Sequence, residues 1–360
     1  MIKLLIVDDS ALMRRLLGQI FAAEDDFVVE IARDGEEALA KLHGFAPDVV
    51  TLDIHMPGMD GLACLDRLML ERPCPVVMVS ALTADGAAET LEAMALGAVD
   101  FVEKPGGAIS LRIDEVAPVI VEKVRAASRA RLRTTRLRER VRLRSRAAEA
   151  SPPPVARRAR RVAASPAAAT DRIVLVGAST GGPPALDALL APLPVTFPWP
   201  IVVAQHMPAT FTGALARRLD RLCALTVSEV VRATPLLPGN VYIARGDADV
   251  QLSTRGGETV AMAVPASAEH RWQPSVDRLV ASALAQRPAG QLVGVLMTGM
   301  GSDGAETMAQ LRSLGGHTIA EAEESAVVWG MPGALVRLGG AETVAPLDRL
   351  ADELLKLAGA

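Results

Sequence analysis

The sequence predicts two α/β domains, each built on a doubly wound parallel sheet, joined by a linker rich in arginine, proline and alanine. Three observations lead to this fold class. The 360 residues exceed one ordinary domain, since a domain takes roughly 150 residues. Short apolar runs alternate with helical patterns, which is typical of parallel sheets covered by helices. The linker composition interrupts this alternation once. We therefore expect a first domain over residues 1–125, a linker over 126–170 and a second domain over 171–360.

The strands of the first domain are predicted from four apolar runs, KLLIVDD, PDVVTLDI, PVVMVSA and AVDFVEK. The helices between them are predicted from ALMRRLLGQIFAAE, from GEEALAKLH and from the stretch around Thr90 to Gly97, where apolar residues recur at helical spacing. In such sheets ligands bind outside the carboxyl ends of the strands. Residues that follow these runs are therefore the candidates for a site.

The linker carries most of the positive charge, although the whole chain has a net charge of -4. Thirteen arginines and two acids lie between Arg129 and Arg161. The same region contains SPPP and runs on into AASPAAAT, which are rich in proline, alanine and serine. One interpretation is DNA binding, because arginine neutralises backbone phosphates. The other is a solvated, partly helical linker that builds no core. No recognition-helix pair follows the arginines, so we favour the linker and expect no DNA partner.

The strands of the second domain are predicted from RIVLVGA, PIVVAQH, NVYIAR and QLVGVLMTG. The helices are predicted from PPALDALLA, TGALARRLD, PSVDRLVASALAQ and GAETMAQLRSLG. The sequence shows no repeat between the two domains beyond this shared alternation. The second domain is also too large for a small DNA-binding module.

The composition narrows the function classes further. Only 3% of the residues are aromatic, which argues against single-strand nucleic-acid binding by base stacking. The three cysteines have no metal-ligand spacing, so we expect reduced thiols. No signal peptide and no run of about 18 apolar residues is present. We expect a soluble, cytoplasmic protein with no direct membrane insertion, and take a monomer as the default.

Polar residues follow the strands of the first domain. Asp8 and Asp9 follow the first strand, Asp53 ends the third, Ser80 the fourth and Lys104 the fifth. Carboxylates that converge on one rim repel each other unless a cation lies among them, and oxygen ligands suit Mg²⁺. An aspartate can itself accept a phosphoryl group, whose oxygens the hydroxyl and the ammonium group could bind. Each residue alone could be an ordinary strand end, but five at the right ends indicate a phosphoryl site.

The motifs IVDDS, DIHMPGMDG, VMVSALT and DFVEKP resemble the receiver domain of two-component response regulators. The resemblance implies a flavodoxin-like fold with strand order 2-1-3-4-5. It also implies that Asp53 accepts phosphate from a sensor histidine kinase and that Asp8, Asp9 and Asp53 hold Mg²⁺.

The same resemblance assigns a response to the phosphoryl group. It implies that Ser80 and Lys104 contact the group and that the rotamer of Phe101 reports the state of the domain. One departure is His55, two residues after the acceptor, where relatives often carry an acid. This residue could alter phosphate lifetime or kinase choice.

A glycine-rich stretch opens the second domain: GASTGG, residues 177–182. Such a loop could cradle phosphate at a helix N-terminus, or it could present a nucleophilic serine in the pattern G-x-S-x-G. Walker-type loops need a lysine after the last glycine, and here Pro183 and Pro184 follow. Proline in a first helical turn and glycine at a tight turn fit a nucleophile elbow at Ser179. Five-letter patterns recur by chance, so the motif alone could also be a structural turn.

A nucleophilic serine needs a histidine base, and four of the five histidines do not fit. His43 lies in a helix of the first domain and His55 lies beside Asp53. His270 lies in a polar segment that no predicted strand precedes. His317 precedes an apolar run and is therefore expected at the opposite edge of the sheet.

His206 remains, because PIVVAQHMP brings it to the carboxyl end of a strand, on the same rim as Ser179. An acid must orient the base, and the loop after QLVGVLMTG presents Asp303 there. The order serine, histidine, aspartate differs from that of α/β-hydrolases, which indicates a separate fold. Backbone N–H groups of Thr180 and Met300 are the candidates for an oxyanion site.

The motifs GASTGGPPAL, AQHMP, LMTGMGSDGA and AVVWGMPGAL resemble the chemotaxis response-regulator protein-glutamate methylesterases. The resemblance implies hydrolysis of glutamate γ-methyl esters on methyl-accepting chemoreceptors, with release of methanol, and deamidation of receptor glutamines. It implies Ser179 as nucleophile, His206 as base and acid, Asp303 as its orienting partner, and no cofactor in this domain. Thr180 and Met300 match positions beside the oxyanion.

The resemblance leaves substrate preference and the mode of regulation open. Relatives tend to have proline in place of Arg245 and histidine in place of Asp249, in a loop that we expect at the border of the cleft, so substrate preference could differ. We expect the unphosphorylated receiver to cover the rim of Ser179 and phosphorylation of Asp53 to loosen that cover. The alternative is a phosphorylation-dependent receptor-binding module without turnover.

Overall fold

The structure is a computed structural model that describes residues 1–80, 83–104, 113–132 and 172–359. Its contacts divide the chain into two units, Met1–Arg157 and Arg158–Ala360. The predicted linker lies outside the described residues from position 133 onward. The last helix of the first unit extends to Ala127, two residues beyond the predicted end of that domain. The boundaries drawn from the sequence stay predictions.

The first unit is a five-stranded parallel sheet with the order β2-β1-β3-β4-β5 and helices between the strands. Its elements are β1 (Ile2–Val7), α1 (Ala11–Ala22), β2 (Phe27–Ala32), α2 (Gly35–Phe45), β3 (Val49–Asp53), α3 (Gly61–Glu71), β4 (Val76–Ser80), α4 (Ala84–Leu96), β5 (Asp100–Glu103) and α5 (Ile113–Ala127). The predicted flavodoxin-like fold is confirmed. The run of one strand, β2, was not identified from the sequence, although Glu30 is the only polar residue along it.

Local sequence explains where these helices begin. Ser10, Asp34, Asp60 and Thr83 each accept a backbone N–H of the following turn, as N-cap residues do. The central strands β3 and β4 are buried along their whole length, which explains their continuous apolar sequence. Polar residues lie at the carboxyl ends of these strands, where β3 ends at Asp53 and β4 ends at Ser80.

The second unit is built on a seven-stranded parallel sheet with the order β15-β14-β13-β6-β7-β10-β8. Its strands are β6 (Ile173–Ala178), β7 (Ile201–Gln205), β8 (Thr226–Glu229), β9 (Thr234–Pro235), β10 (Asn240–Ile243), β11 (Ala248–Arg255), β12 (Glu258–Pro265), β13 (Leu292–Leu296), β14 (His317–Glu321) and β15 (Thr343–Ala345). Its helices are α6 (Gly182–Leu190), α7 (Ala209–Leu222), α8 (Val276–Gln286), α9 (Ala305–Ser313), α10 (Met331–Arg337) and α11 (Leu350–Ala358). The parallel α/β architecture predicted for this domain is confirmed.

A small antiparallel sheet, β11-β12-β9, was not predicted. Its hairpin turns at Gly256 and Gly257, both with positive φ, where glycine has no steric cost. The strand β11 mixes polar and apolar residues, so a search for continuous apolar runs does not find it, and the apolar part of β12 was not recognised as a strand. The described helices include none that is both long and apolar enough to cross a membrane.

Candidate functional site

The strand ends of the first unit bring acidic residues and a lysine together at one rim. The Lys104 Nζ atom lies 2.7 Å from Asp53 Oδ2 and 3.1 Å from Asp8 Oδ2. Both aspartates are 1% exposed. Neither of these oxygens has a hydrogen-bond partner of good geometry among the described residues. The ammonium group therefore compensates charge in this rim without saturating the oxygens.

Charge and burial act together on this cluster. Burial raises the pKa of Asp8 above its usual value, the nearby charge of Asp53 raises it further, and Lys104 lowers it in part. Burial lowers the pKa of Lys104, but the close contact with Asp53 and the charges of Asp53 and Asp8 outweigh it and raise that pKa. Carboxylate oxygens of Asp8, Asp9 and Asp53 lie within 4.8 Å of one another. Three hard oxygen donors with two unsatisfied buried atoms fit a Mg²⁺ ion.

The other predicted receiver residues surround this cluster. The Ser80 hydroxyl donates to the Gly86 carbonyl at 3.4 Å, at the end of β4. Phe101 is buried, with the Lys123 ammonium 5.0 Å from its ring centroid. The His55 Nε2 atom lies 3.0 Å from a carboxylate oxygen of Glu89, so the departure at this position joins the acceptor loop to α4.

Ser179 lies on a sharp turn between β6 and α6. Gly181 adopts φ +77°, and a Cβ there would meet Val327 at 2.7 Å, so this position needs glycine. The Gly182 N–H donates to the Ser179 carbonyl at 2.7 Å and closes the turn. This geometry is that of a nucleophile elbow, with the serine at the carboxyl end of a central strand.

The two neighbouring strands bring His206 and the glycine-rich loop to the same turn. Ala178 is paired with Gln205 in the β6–β7 register, and the His206 N–H donates to the Ala178 carbonyl at 3.0 Å. The Gln205 side-chain amide donates to the Ser179 carbonyl at 2.9 Å. On the other side, a Cβ at Gly299 would lie 2.7 Å from the Ser179 Cβ. Ser179 therefore lies between the ends of β7 and β13.

The His206 Nε2 atom lies 2.8 Å from the Asp303 Oδ2 atom, and the two side chains are only 4% and 7% exposed. The Asp303 carboxylate also accepts from three groups at the start of α8: the Ser275 hydroxyl at 3.1 Å and the N–H groups of Val276 at 2.7 Å and Asp277 at 3.1 Å. The sequence gives no signal for this support, because α8 is distant in the chain from Asp303.

These contacts fix the charge of Asp303. Burial alone would raise the pKa of this carboxyl, but the hydrogen bond and charge of His206, with the backbone N–H groups of Val276 and Asp277, lower it to about 2. Burial and the charge of Asp303 raise the pKa of the adjacent Asp277. Asp303 is thus an ionised group that can orient a histidine.

The remaining atoms of the site suit an acyl-transfer reaction. The buried Nδ1 atom of His206 has no partner in the described part of the chain, so it is available to a serine hydroxyl. Met300 is 4% exposed and follows Gly299, which packs against Ser179. Thr180 follows Ser179 itself in the turn. Both positions predicted for oxyanion donors therefore lie beside the serine.

The structure also shows where His317, His270 and Asp249 lie. His317 begins β14, at the amino end of the strand, as expected. His270 was excluded because no strand delivers it, yet the structure places it close to the site: its Nδ1 lies 3.4 Å from the Ser275 hydroxyl. Asp249 does not border an open cleft, since it is 1% exposed, and it accepts the Ser275 N–H at 2.6 Å and pairs with Arg278.

Arg245 forms an exposed ion pair with Asp247 at 2.6 Å. Two residues missed by the sequence analysis also contact the site. The Gln205 side chain bonds to the turn of Ser179. Its position directly before His206, at the end of the same strand, could have indicated this contact from the sequence. Trp272 stacks on His206, with ring centroids 5.7 Å apart. The apolar pattern gives no indication of that contact.

Two family models match the chain. One is described as CheB methylesterase and matches residues 174–354; the other is described as response regulator receiver domain and matches residues 4–113. A protein-glutamate methylesterase/protein-glutamine glutaminase of Rhodopseudomonas palustris (strain BisB18) is 54% identical and covers 99% of this chain and 98% of its own. One from Rhodospirillum rubrum is 52% identical and covers 98% and 95%. The crystal structure of the Thermotoga maritima CheB methylesterase catalytic domain is 38% identical, with a TM-score of 0.50, and covers 52% of this chain and 98% of its own.

Proposed function

Because the chain belongs to the CheB methylesterase family and carries a response regulator receiver domain, we propose that it removes methyl groups from glutamate γ-methyl esters of chemoreceptors and deamidates receptor glutamines. We propose in addition that a Ser179–His206–Asp303 triad performs this hydrolysis and that phosphorylation of Asp53 activates it. The 2.8 Å bond between His206 and Asp303, next to the turn of Ser179, carries the proposal.

The first half of the reaction forms an acyl-enzyme. The Ser179 Oγ atom attacks the ester carbonyl carbon while the His206 Nδ1 atom takes the hydroxyl proton. Asp303 holds the ring through Nε2 and stabilises the imidazolium. When the tetrahedral intermediate collapses, the C–O bond to methoxide breaks, and the imidazolium returns its proton to the leaving oxygen. Methanol leaves, and the glutamyl group stays on Ser179.

The second half regenerates the serine. His206 removes a proton from water, whose oxygen attacks the acyl carbon, and the proton then passes to Ser179 Oγ as its bond to the acyl carbon breaks. Free glutamate carboxylate is the product. A receptor glutamine would follow the same route with ammonia as the leaving group. In both halves, the N–H groups of Thr180 and Met300 are the proposed donors to the oxyanion.

Control belongs to the first domain. We propose that the Asp53 carboxylate accepts a phosphoryl group from a sensor histidine kinase and that Asp8, Asp9 and Asp53 hold Mg²⁺. The ion would neutralise charge on the phosphoryl oxygens. Lys104 now lies 2.7 Å from Asp53, so a phosphoryl group on that oxygen would draw the ammonium to itself. Mg²⁺ and Lys104 would then compensate the charge of the phosphoryl group. Through such a local change of charge, phosphorylation would shift the conformational equilibrium of the domain.

The test is release of methanol from membranes that carry methylated receptors. Ser179→Ala in the full chain should abolish release, since loss of a triad member costs roughly 10⁴–10⁶ in rate. The same variant should still be phosphorylated at Asp53 by a small-molecule phosphodonor, which is the control for folding of the first domain. Asp53→Asn should keep basal release and lose the stimulation by the phosphodonor.

The results separate the alternatives. Undiminished methanol release by Ser179→Ala would exclude the triad. Receptor binding without release by the wild-type chain would indicate the binding module instead. Stimulation that persists in Asp53→Asn would exclude Asp53 as the acceptor and leave the hydrolytic assignment untouched.

A further inference from the structure

The His206 imidazole is held by hydrogen bonding at one ring atom only. Its Nε2 atom meets Asp303 at 2.8 Å, while the buried Nδ1 atom has no partner in the described ranges. A bond at one ring atom fixes that atom and leaves the ring free to rock about it. A general base must bring its nitrogen to within about 2.6–3.2 Å of the proton donor. Another contact must therefore set the plane of the ring.

The indole of Trp272 makes that contact. The two rings are nearly parallel, with an angle of 10° between their planes and 5.7 Å between their centroids. This separation lies within the range of about 4.5–7 Å that is found for attractive aromatic pairs. Trp272 is half-buried and His206 is 8% exposed, so the indole also shields one face of the imidazole from water.

The chain around Trp272 explains why the indole keeps this position. The Gln273 carbonyl accepts the N–H of Met207, the residue after His206, at 3.3 Å. The residues that follow start α8 and donate to Asp303. The segment 272–277 therefore acts on His206 in two ways. Trp272 contacts the face of the ring, and the residues at the start of α8 hold the Asp303 carboxylate that binds Nε2.

We propose that Trp272 is a positioning residue for this reaction: its indole sets the plane of the His206 ring and stabilises the imidazolium that forms when the ring takes the proton of Ser179. A cation within about 6 Å of a tryptophan ring is attracted to its face. The imidazolium exists only after proton transfer, so the attraction favours the transition state over the ground state. The inference rests on the proposed function, since it takes His206 as the base.

Among the described residues, four charged or titratable groups lie near the stack. Asp303 binds Nε2, and the Arg271 guanidinium lies 5.0 Å from the centroid of the indole. Asp277 and His270 lie beside Asp303, with ligand atoms within 4.8 Å of one another. A substitution at Trp272 leaves Asp303, Asp277 and His270 in place, and Trp272→Phe also keeps an aromatic ring beneath Arg271. A change in catalysis or in the pH response then reports the ring contact itself.

The experiment compares Trp272→Phe with Trp272→Ala in the full chain. The phenyl ring keeps a flat face, so kcat should stay within about threefold of the wild type. The alanine variant should lose roughly 10- to 100-fold in kcat with little change in KM, because the contact stabilises the reacting ring and binds no substrate. Rescue by phenylalanine distinguishes a positioning role from a general loss of structure.

Tryptophan fluorescence gives a second readout. A protonated imidazole stacked on an indole quenches its emission, so the emission of Trp272 should change when the His206 ring gains a proton. The transition should be present in wild type and in Ser179→Ala, and absent in Trp272→Phe and in His206→Gln. Trp199→Phe is the matched control: this tryptophan packs on Phe197, and its loss should lower total emission and leave the transition.

The outcomes separate this inference from the proposed function. Wild-type kcat in Trp272→Ala, or a transition that persists in His206→Gln, would overturn the inference. If Ser179→Ala keeps its turnover, the proposed function fails, whatever the fluorescence shows. If Ser179→Ala is inactive and the transition does not depend on His206, only the role of Trp272 is wrong.

Discussion

Asp303→Asn tests how the structure supports the base. Asp303 Oδ2 accepts from His206 and from the Val276 N–H, and Oδ1 accepts from the Ser275 hydroxyl and the Asp277 N–H. An asparagine amide group therefore opposes a backbone N–H in either orientation. The orientation with the oxygen toward His206 is favoured, because the Ser275 hydroxyl can accept from the amide.

Two effects follow from this orientation. The hydrogen bond to His206 survives without its charge, and a unit charge pair about 4 Å apart at an effective dielectric constant of about 20 is worth roughly 4 kcal/mol. That energy corresponds to about 10³-fold in kcat. The opposed N–H of Asp277 costs a further 1–3 kcal/mol or so in free energy of unfolding.

The pH dependence of stability has a definite sign. The pKa of Asp303 is about 2 in the folded protein against an ordinary value of 3.8. A lowered pKa contributes stability that is present above pH 3.8 and is lost as the pH falls toward 2. The shift corresponds to about 2 kcal/mol. The stability difference between wild type and Asp303→Asn should therefore shrink over this range.

Both effects can be measured on the full chain. All three tryptophans lie in the second domain, so urea unfolding followed by tryptophan emission reports that domain. Asp187→Asn is the matched control: Asp187 binds Arg218 through two hydrogen bonds outside the site, and its loss should lower stability without changing kcat. A kcat loss below tenfold, or a stability difference that is the same at pH 7 and pH 3, would refute the reasoning.

Three further predictions concern single contacts. Asp8→Asn should stabilise the first domain at pH 7, seen as slower amide hydrogen exchange, and weaken Mg²⁺ binding, because a raised folded pKa makes the ionised form costly as the pH rises. Gly299→Ala should lower kcat strongly, since its Cβ would lie 2.7 Å from the Ser179 Cβ, whereas Gly290→Ala, with 3.7 Å of clearance, should not. Asp249→Ala should lower the free energy of unfolding, measured by urea titration of tryptophan emission, by about 3–5 kcal/mol, because it leaves Arg278 without its carboxylate partner, and unchanged unfolding would contradict that account.

The sequence is most informative where one strand end determines one residue. Asp53, Ser80 and His206 were predicted from apolar runs alone, because the end of a buried parallel strand has a fixed place at the sheet rim. Asp303 was predicted in the same way from the run before it. Their roles stay predictions.

What the sequence did not yield depends on contacts between distant segments. Trp272 lies in a polar stretch without periodicity and Ser275 lies at the start of a predicted helix, and only the packing of α8 brings them to His206 and Asp303. For the same reason His270 was set aside. Asp249 was expected at a cleft because its loop follows a strand, but the hairpin β11–β12 begins there and buries it.

The two sites hold buried carboxylates in opposite states, and the difference fits the tasks that we propose for them. The Asp303 carboxylate accepts hydrogen bonds from the N–H groups of Val276 and Asp277, and its pKa is lowered to about 2. Its charge and its position are therefore fixed. Asp8 has a raised pKa, and oxygens of Asp8 and Asp53 lack well-formed hydrogen bonds. An orienting group must be immobile, whereas a group that receives a cation and a phosphoryl must keep its oxygens open. The open oxygens at the rim therefore lower the stability of the first domain, and ligands that bind this rim should stabilise that domain.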